Sequence, residues 1–411
     1  MSELLSIAAA ASECPTRVAL IADARALTYA ELASRADDVT LPTPNLHRAN
    51  DALSSAIILY ASLQQQRSVA LVSKSSSDTE FVHRRAILNA ADLSHAALVL
   101  FTSGSSGASK GVLLSRNALQ TSATAAGTAL GWADDDRWLC CLPLSHIGGI
   151  SVLTRALVAR KTAILCDGFD AASIAKDIVK QRATHISLVP TMLWRLLETG
   201  FRPPTHLRIT LMGGAALDEG LAKRARSAGF LLRPSYGMTE TSSMVLCDGH
   251  PLPGVALRID ANQGLHIRAP MLMNGYLPPN DTETPISNDW FSTADRARLI
   301  NGHFQILGRS DATIISGGEN IDLGEIESAL NSHPNVHASL AVGIADPEWG
   351  QRLVALVVCD GDPSELQVAE LSGHKRPKNI LKVDGLPLLE NGKPDRQRAM
   401  QLAIERNGRR A

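Results

Sequence analysis

Residues 98–115 read LVLFTSGSSGASKGVLLS. An apolar run from Ala97 to Phe101 passes directly into Thr, Ser and Gly, with one Lys near the end of the stretch. A loop of this composition after a buried strand can wrap a phosphate. Gly104, Gly107 and Gly111 let backbone amides converge without interference from Cβ atoms. Thr102, Ser103, Ser105 and Ser106 add hydroxyl donors, and Lys110 adds a cation. The rival pattern is the Walker loop, G-x-x-x-x-G-K-[ST], and it fails, because Lys110 follows Ser109 and precedes Gly111. A phosphotransferase of that class is disfavoured. A plain Ser/Gly linker is disfavoured too, since apolar residues flank the loop on both sides, with Val112–Leu114 after it.

Outward from the loop, short apolar runs alternate with helical patterns. AALVLF (96–101), RWLCCLPL (137–144), TAILCD (162–167), HISLVP (185–190) and LRITLMGG (207–214) read as strands. Between them lie helices such as TMLWRLLE, with Met192, Leu193, Leu196 and Leu197 on one face. Strands flanked by helices predict an α/β fold with largely parallel sheets covered on both sides. The pattern changes near Gly308. IDLGEIESALNSH (321–333) predicts a helix capped by Asp322, and ASLAVGI and RLVALVV predict two alternating strands. The expected organisation is a large domain over 1–310 and a small α+β domain over 311–411. The basic tail RQRAMQLAIERNGRR (396–410) reads as a helix with a solvated face.

A chain of 411 residues exceeds one ordinary core. Hydrophobic residues at 45% and charged residues at 20% describe a soluble globular protein. The net charge of −1 supplies no field to recruit nucleic acid or an anionic membrane. No apolar run reaches the length of a membrane span. Glu3 stands where a signal peptide wants positive charge, so the N-terminus reads as the first amphipathic helix of a cytoplasmic protein. Six cysteines, at 14, 140, 141, 166, 247 and 359, form no C-x-x-C pair and read as reduced core residues.

LFTSGSSGASKGV (100–112) resembles the phosphate loop of the adenylate-forming superfamily, which includes acyl- and aryl-CoA ligases. Further stretches extend the resemblance from about Ala24 to Asp395, in the family's order. CLPLSHIGG (141–149) resembles the second motif, implying that His146 helps position the carboxylate in the acyl pocket and gate the thiol channel. Ser145 stands where many relatives carry Phe. LMGGAALD (211–218) resembles the strand and turn lying along adenine, which implies contacts from Gly213, Gly214 and Ala215. RPSYGMTETSS (233–243) carries the family's YGxTE as Tyr236, Gly237, Met238, Thr239 and Glu240. By resemblance Tyr236 stacks on adenine, Thr239 bonds a phosphate oxygen and Glu240 holds Mg²⁺. A hard cation with oxygen ligands suits the charge that builds on departing pyrophosphate.

The resemblance also assigns Asp295, in DWFSTADRARL, to the ribose hydroxyls and Arg309 to a second ribose or phosphate contact. Asp311 matches the hinge of the small domain, and Gly317 and Gly318 match the loop along the thiol channel. Lys393, on the Asn-Gly turn of LLENGKPDR, matches the catalytic lysine of adenylation. Gly149, Thr191, Arg195 and Ser235 join His146 around the acid. Alone, Asp295, Arg309 or Lys393 reads as a surface charge; their order along the chain carries the reading.

The implied reaction is ATP-dependent activation of a carboxylic acid to an acyl-adenylate, followed by transfer to coenzyme A. Its small-molecule partners are the acid, ATP, Mg²⁺ and coenzyme A, with no nucleic acid and no membrane span. The stretches around 142–157, 185–198 and 209–217 are most similar to the o-succinylbenzoate–CoA ligase branch, which serves menaquinone biosynthesis. That acid carries a second carboxylate and asks for a cation, for which Arg155, Arg195 and Arg208 are candidates. The alternatives are another aryl or short-to-medium acyl acid, or an inactive nucleotide-binding regulator. The segment before the phosphate loop is shorter than is usual for the superfamily, so a carrier-bound thiol stays open as acceptor, as does a homodimer.

Overall fold

The computed structural model describes residues 3–23, 25–103, 109–277, 285–363, 366, 371 and 373–407. The chain forms two compact units. One comprises residues 1–215, 225–258 and 266–292, the other 216–224, 259–265 and 293–411. The fold is α/β, with a large N-terminal part built on parallel sheet and a smaller C-terminal part, as expected. No helix among the described residues is long and apolar enough to cross a membrane.

The first unit holds a nine-stranded sheet. Six of its strands run parallel, in the spatial order Leu232–Met238, Ile209–Met212, His185–Leu188, Arg137–Cys140, Thr162–Leu165 and Val18–Ala22. Every residue of Thr162–Leu165, His185–Leu188 and Ile209–Met212 is buried. This is why these segments read as unbroken apolar runs rather than alternating ones. Of their polar groups, Thr162 Oγ1 donates to Val18 O at 2.7 Å and Ser187 Oγ accepts from Trp138 Nε1 at 3.0 Å, while Thr210 Oγ1 is buried without a hydrogen-bond partner.

A second sheet carries the opening sequence. Leu46–Ala49, Val69–Ser73 and Leu98–Ser103 lie parallel, and Ser109–Leu114 returns antiparallel beside the last of them. Thr102 faces Lys110 and Phe101 faces Gly111. The phosphate segment is thus a β-hairpin whose connecting residues 104–108 lie outside the described set. A Walker loop exits into a helix; this one exits into a strand. Gly275–Tyr276 pairs antiparallel with the free side of that strand, Tyr276 opposite Val112.

The helix Ile147–Ala159 is buried on all sides from Gly149 to Leu157, as befits a helix apolar all round. Two buried tyrosines fix it. Tyr29 Oη donates to Lys161 O at 2.8 Å, and Tyr60 Oη to Leu153 O at 3.2 Å.

In the second unit the long strands Val336–Asp346 and Gly350–Cys359 pair antiparallel. Leu353, Ala355 and Val357 pack with Ile326 and Leu330 of the helix Leu323–Asn331. Val354 and Leu356 pack with Ala399 and Ala403 of the helix Arg396–Asn407. Both faces are therefore covered. The tail helix is solvated on one side only, because Ala399 and Ala403 are buried and Arg396 pairs with Glu327 at 2.7 Å. Asp322 caps its helix as expected, accepting from Gly324 N at 2.8 Å.

Along the chain the last change from the first unit to the second falls at residues 292–293. The strands Trp290–Ile300 and His303–Arg309 form a hairpin through Asn301 and Gly302, with φ of 49° and 81°. Arg296 of that hairpin pairs with the helix cap Asp322, which fastens it to the C-terminal part.

Candidate active site

The phosphate hairpin and the Tyr236–Glu240 stretch meet at one side chain. Tyr276 Oη donates to Glu240 Oε1 at 3.0 Å, and Lys110 Nζ lies 5.2 Å from the centre of the Tyr276 ring. All three residues are half-buried. Thr102 Oγ1 reaches Lys110 O at 3.5 Å. Gly104, Ser105, Ser106 and Gly107 lie outside the described residues, and so does the side chain of Ser103.

Glu240 sits on a short 3₁₀ turn, Thr239–Thr241, that follows Tyr236, Gly237 and Met238 at the end of their strand. The turn is held from several directions. Met273 N donates to Glu240 O at 2.8 Å, Thr241 Oγ1 to Ser243 O at 2.6 Å, and Ser122 Oγ to Ser242 O at 2.8 Å. Ser242 and Ser243 take φ of 51° and 111°, which L-residues seldom adopt. A Cβ on Gly237 would lie 2.0 Å from Ser243 O. Glycine alone lets the strand and the returning chain close so tightly.

Beside this stretch, Gly213 N donates to Leu188 O at 3.1 Å, and Ser235 Oγ donates to Met212 O at 2.9 Å. Gly213 faces Ser235 Oγ, and Gly214 and Ala215 are exposed beyond the strand end. This edge lies at the carboxyl ends of parallel strands, where ligands bind in open α/β sheets.

His146 caps the buried helix Ile147–Ala159, its own amide bonded to Pro143 O at 3.1 Å. A Cβ on Gly149 would meet Pro143 O at 2.5 Å, so only glycine lets the motif loop fold back onto the helix start. Thr191 follows Pro190 in the first turn of Pro190–Glu198.

The three arginines differ sharply. Arg208 Nη2 reaches both oxygens of Asp136, at 2.6 and 2.7 Å, and is committed there. Arg155 is fully buried; its Nη2 donates to Ser243 Oγ at 2.9 Å and its guanidinium lies 5.2 Å from the Trp138 ring, while Nε has no partner. Burial pushes it down to about 10. Arg195 is exposed, its guanidinium 5.4 Å over the ring of Phe169.

The second unit carries the remaining residues. Asp295 and Arg309 are direct cross-strand partners, and Arg309 forks onto Asp311 at 2.7 and 2.5 Å. Gly317 and Gly318, with φ of 60° and 85°, turn the hairpin between Thr313–Ser316 and Glu319–Asp322. A Cβ on Gly317 would press on Trp349 at 2.9 Å. Lys393 is half-buried on a turn in which its amide bonds Asn391 Oδ1 at 3.1 Å and its carbonyl accepts from Leu389 N at 2.8 Å.

Among the described residues no group of three or more His, Cys, Asp or Glu could hold a metal. A lone carboxylate suits magnesium, which takes one or two carboxylates together with substrate phosphates. Glu240 fits that role. Burial pushes the Cys140 thiol up to about 12 and the Cys141 thiol well above the ordinary cysteine value, which disfavours the nucleophilic thiolate at both. Tyr276 was not legible as a site residue, since MNGYLPP shows only a short strand between turns, and its partner strand lies far away in sequence.

The AMP-binding enzyme family matches residues 39–277, and the AMP-binding enzyme C-terminal domain matches residues 325–393. The chain belongs to the AMP-binding enzyme family. A curated relative, 2-succinylbenzoate–CoA ligase of Staphylococcus aureus strain MSSA476, is 36% identical over 336 residues, covering 76% of this chain and 68% of the relative. A solved o-succinylbenzoate CoA synthetase from Bacillus subtilis, in complex with its acyl-adenylate intermediate, has a TM-score of 0.81 at 25% identity, covering 97% of this chain and 98% of that one. The same synthetase with ATP and magnesium ion has a TM-score of 0.80 at 25% identity, over 96% and 98%. In this AMP-binding enzyme the first matched stretch takes in the hairpin, His146, Glu240 and Tyr276, and the second ends on Lys393. Asp295, Arg309, Asp311, Gly317 and Gly318 fall between the two.

Proposed function

We propose that the protein is an ATP-dependent acid–coenzyme A ligase acting through an acyl-adenylate, with o-succinylbenzoate as its acid. The observation that carries this reading is the junction at Tyr276. It joins the cation of a phosphate hairpin to a single carboxylate suited to magnesium. The names of the relatives support the choice of acid.

In this reading the hairpin amides, the hydroxyls of Thr102, Ser103, Ser105 and Ser106, and Lys110 grip the triphosphate. Tyr236, Gly213, Gly214 and Ala215 face adenine, with Gly237 and Met238 shaping the edge. Asp295 and Arg309 bind the ribose. Magnesium, held by Glu240 and the phosphates with Thr239 alongside, supplies charge neutralisation when bound. His146, Gly149, Thr191 and Ser235 line the acid. Arg195 is the cation for its second carboxylate, because Arg208 is spent on Asp136 and Arg155 is enclosed.

A carboxylate oxygen of the acid attacks the α-phosphorus, and the bond to pyrophosphate breaks. Lys393 bridges the attacking carboxylate and the α-phosphate, offsetting two like charges in the transition state. The small domain then turns about Asp311, Lys393 leaves, and Gly317 and Gly318 flank the entering thiol. Sulfur attacks the acyl carbon, the thiol proton is released and AMP departs. A carrier-bound thiol is the alternative acceptor.

Pyrophosphate release, measured with a panel of carboxylic acids with and without coenzyme A, tests the reading. Release with o-succinylbenzoate, and thioester only when coenzyme A is added, is expected. Turnover of a monocarboxylic aryl acid with o-succinylbenzoate inert would replace the acid. Nucleotide binding without any acid-dependent release would favour a regulator.

A further inference from the structure

Glu240 and Lys110 come from different sheets, and a single five-residue segment sets their separation. Met273 N is bonded to Glu240 O at 2.8 Å. From there the segment runs along the exit strand of the hairpin: Asn274 N donates to Leu113 O at 2.8 Å, Tyr276 pairs with Val112, and Leu277 N donates to Gly111 O at 2.7 Å. The packing is close enough that a Cβ on Gly111 would lie 2.4 Å from Leu277 Cδ1. The backbone therefore gives Tyr276 little freedom to move, and its side chain points at both charged groups at once.

We propose that Tyr276 is a positioning residue for the phosphate site, its hydroxyl orienting Glu240 and its ring face seating Lys110. This rests on the reading of Glu240 and Lys110 given above. The two halves of the side chain act separately. The phenol proton is donated to Glu240 Oε1, and a hydrogen bond to a charged acceptor is among the stronger ones a side chain makes. It fixes the carboxylate's rotation before a ligand arrives. The ring offers its negative face to the ammonium group, a weaker attraction in a half-exposed setting. It keeps Lys110 extended along the hairpin instead of letting it collapse onto Glu240, where the two charges would neutralise each other and leave neither for the phosphates.

The hydroxyl and the ring can be separated experimentally. Tyr276→Phe keeps the ring and deletes the donor, and Tyr276→Leu deletes both. Calorimetric titration of ATP into each protein, across a series of magnesium concentrations, reads the effect without turnover. In Tyr276→Phe the half-saturating magnesium concentration is expected to rise roughly tenfold, while ATP affinity without magnesium stays within about twofold of the unaltered protein. Tyr276→Leu should in addition lose roughly threefold in magnesium-free ATP affinity. A magnesium response in the unaltered protein that Tyr276→Phe leaves unchanged would overturn the inference alone. An unaltered protein whose ATP affinity ignores magnesium would overturn the reading of Glu240 and the inference with it.

Discussion

At the amino ends of three neighbouring parallel strands, Asp136 and His185 are buried, His185 against Trp132 and Trp138, and a half-exposed Arg208 covers Asp136. Past the carboxyl end of Leu232–Met238, Glu240 shares Tyr276 with Lys110, and all three stay half-exposed. In the first cluster Asp136 is fully enclosed, bonded by Arg208 and by Ala133 N at 2.6 Å. His185 lies 2.8 Å from Thr184 Oγ1, with ring centres 5.3 Å from Trp132 and 5.1 Å from Trp138. Burial pushes His185 down to about 4, against the pull of Asp136. A displaced titration in a cleft is often read as a catalytic mark, yet this one belongs to an imidazole that is fully buried against two tryptophans. The other end is recognised by different signs: glycine where backbone meets backbone, strained φ angles after the turn, and two opposite charges held apart by one ring.

Substitutions should therefore separate the two ends, reducing turnover at one and stability at the other. The largest effect belongs to the chemistry. Lys393→Ala is expected to slow acid-dependent pyrophosphate release by about 100- to 1,000-fold, with the thermal midpoint unchanged. A turnover equal to that of the unaltered protein would remove Lys393 from the reaction. Next comes Gly237→Ala, whose Cβ has only 2.0 Å to Ser243 O. The Thr239–Thr241 turn must shift, and misplacing Glu240 by a fraction of an ångström should lower kcat/KM about 10- to 100-fold. An active Gly237→Ala would show that the turn has slack and would blur the contrast.

How much of this was readable beforehand depends on the range of the interaction that decides each feature. TAILCD and HISLVP are legible because a strand covered on both faces carries mostly apolar side chains, here Ala163, Ile164, Leu165, Ile186 and Leu188. Gly317-Gly318 and Asn391-Gly392 are legible because positive φ is a local demand. Arg208 is not, since a charge beside a strand looks alike whether it faces a pocket or an aspartate 72 residues away. Tyr276 fails for the same reason, being 36 residues from the carboxylate it orients. The ion pair of Arg296 with Asp322 is likewise not legible, since its partners lie 26 residues apart.

At the buried end, Asp136→Asn should leave kcat/KM at neutral pH within about twofold and cost about 2 kcal/mol, read from urea midpoints. The half-exposed Arg208 can turn to water, which keeps the loss below that of a fully buried pair. A smaller effect, confined to mild acid, tests His185 itself. Its imidazole is neutral in the folded chain, lowered to about 4 first by burial and then by Arg208, with Asp136 opposing. The unfolded chain takes up a proton near pH 6.5. The stabilisation is therefore complete above about pH 6.5 and drains away as pH falls towards 4, at up to about 1 kcal/mol per pH unit. Asp136, whose burial is outweighed by its bonds to Ala133 and Arg208, is held below the usual carboxylate range, so its own loss comes only in stronger acid. His185→Gln removes the first window and leaves the second. Urea unfolding at half-unit steps from pH 7 to 4.5 should give a visibly flatter stability curve for the variant. Parallel curves would mean that water reaches His185, and the cluster would then differ from Glu240 and its neighbours in degree rather than in kind.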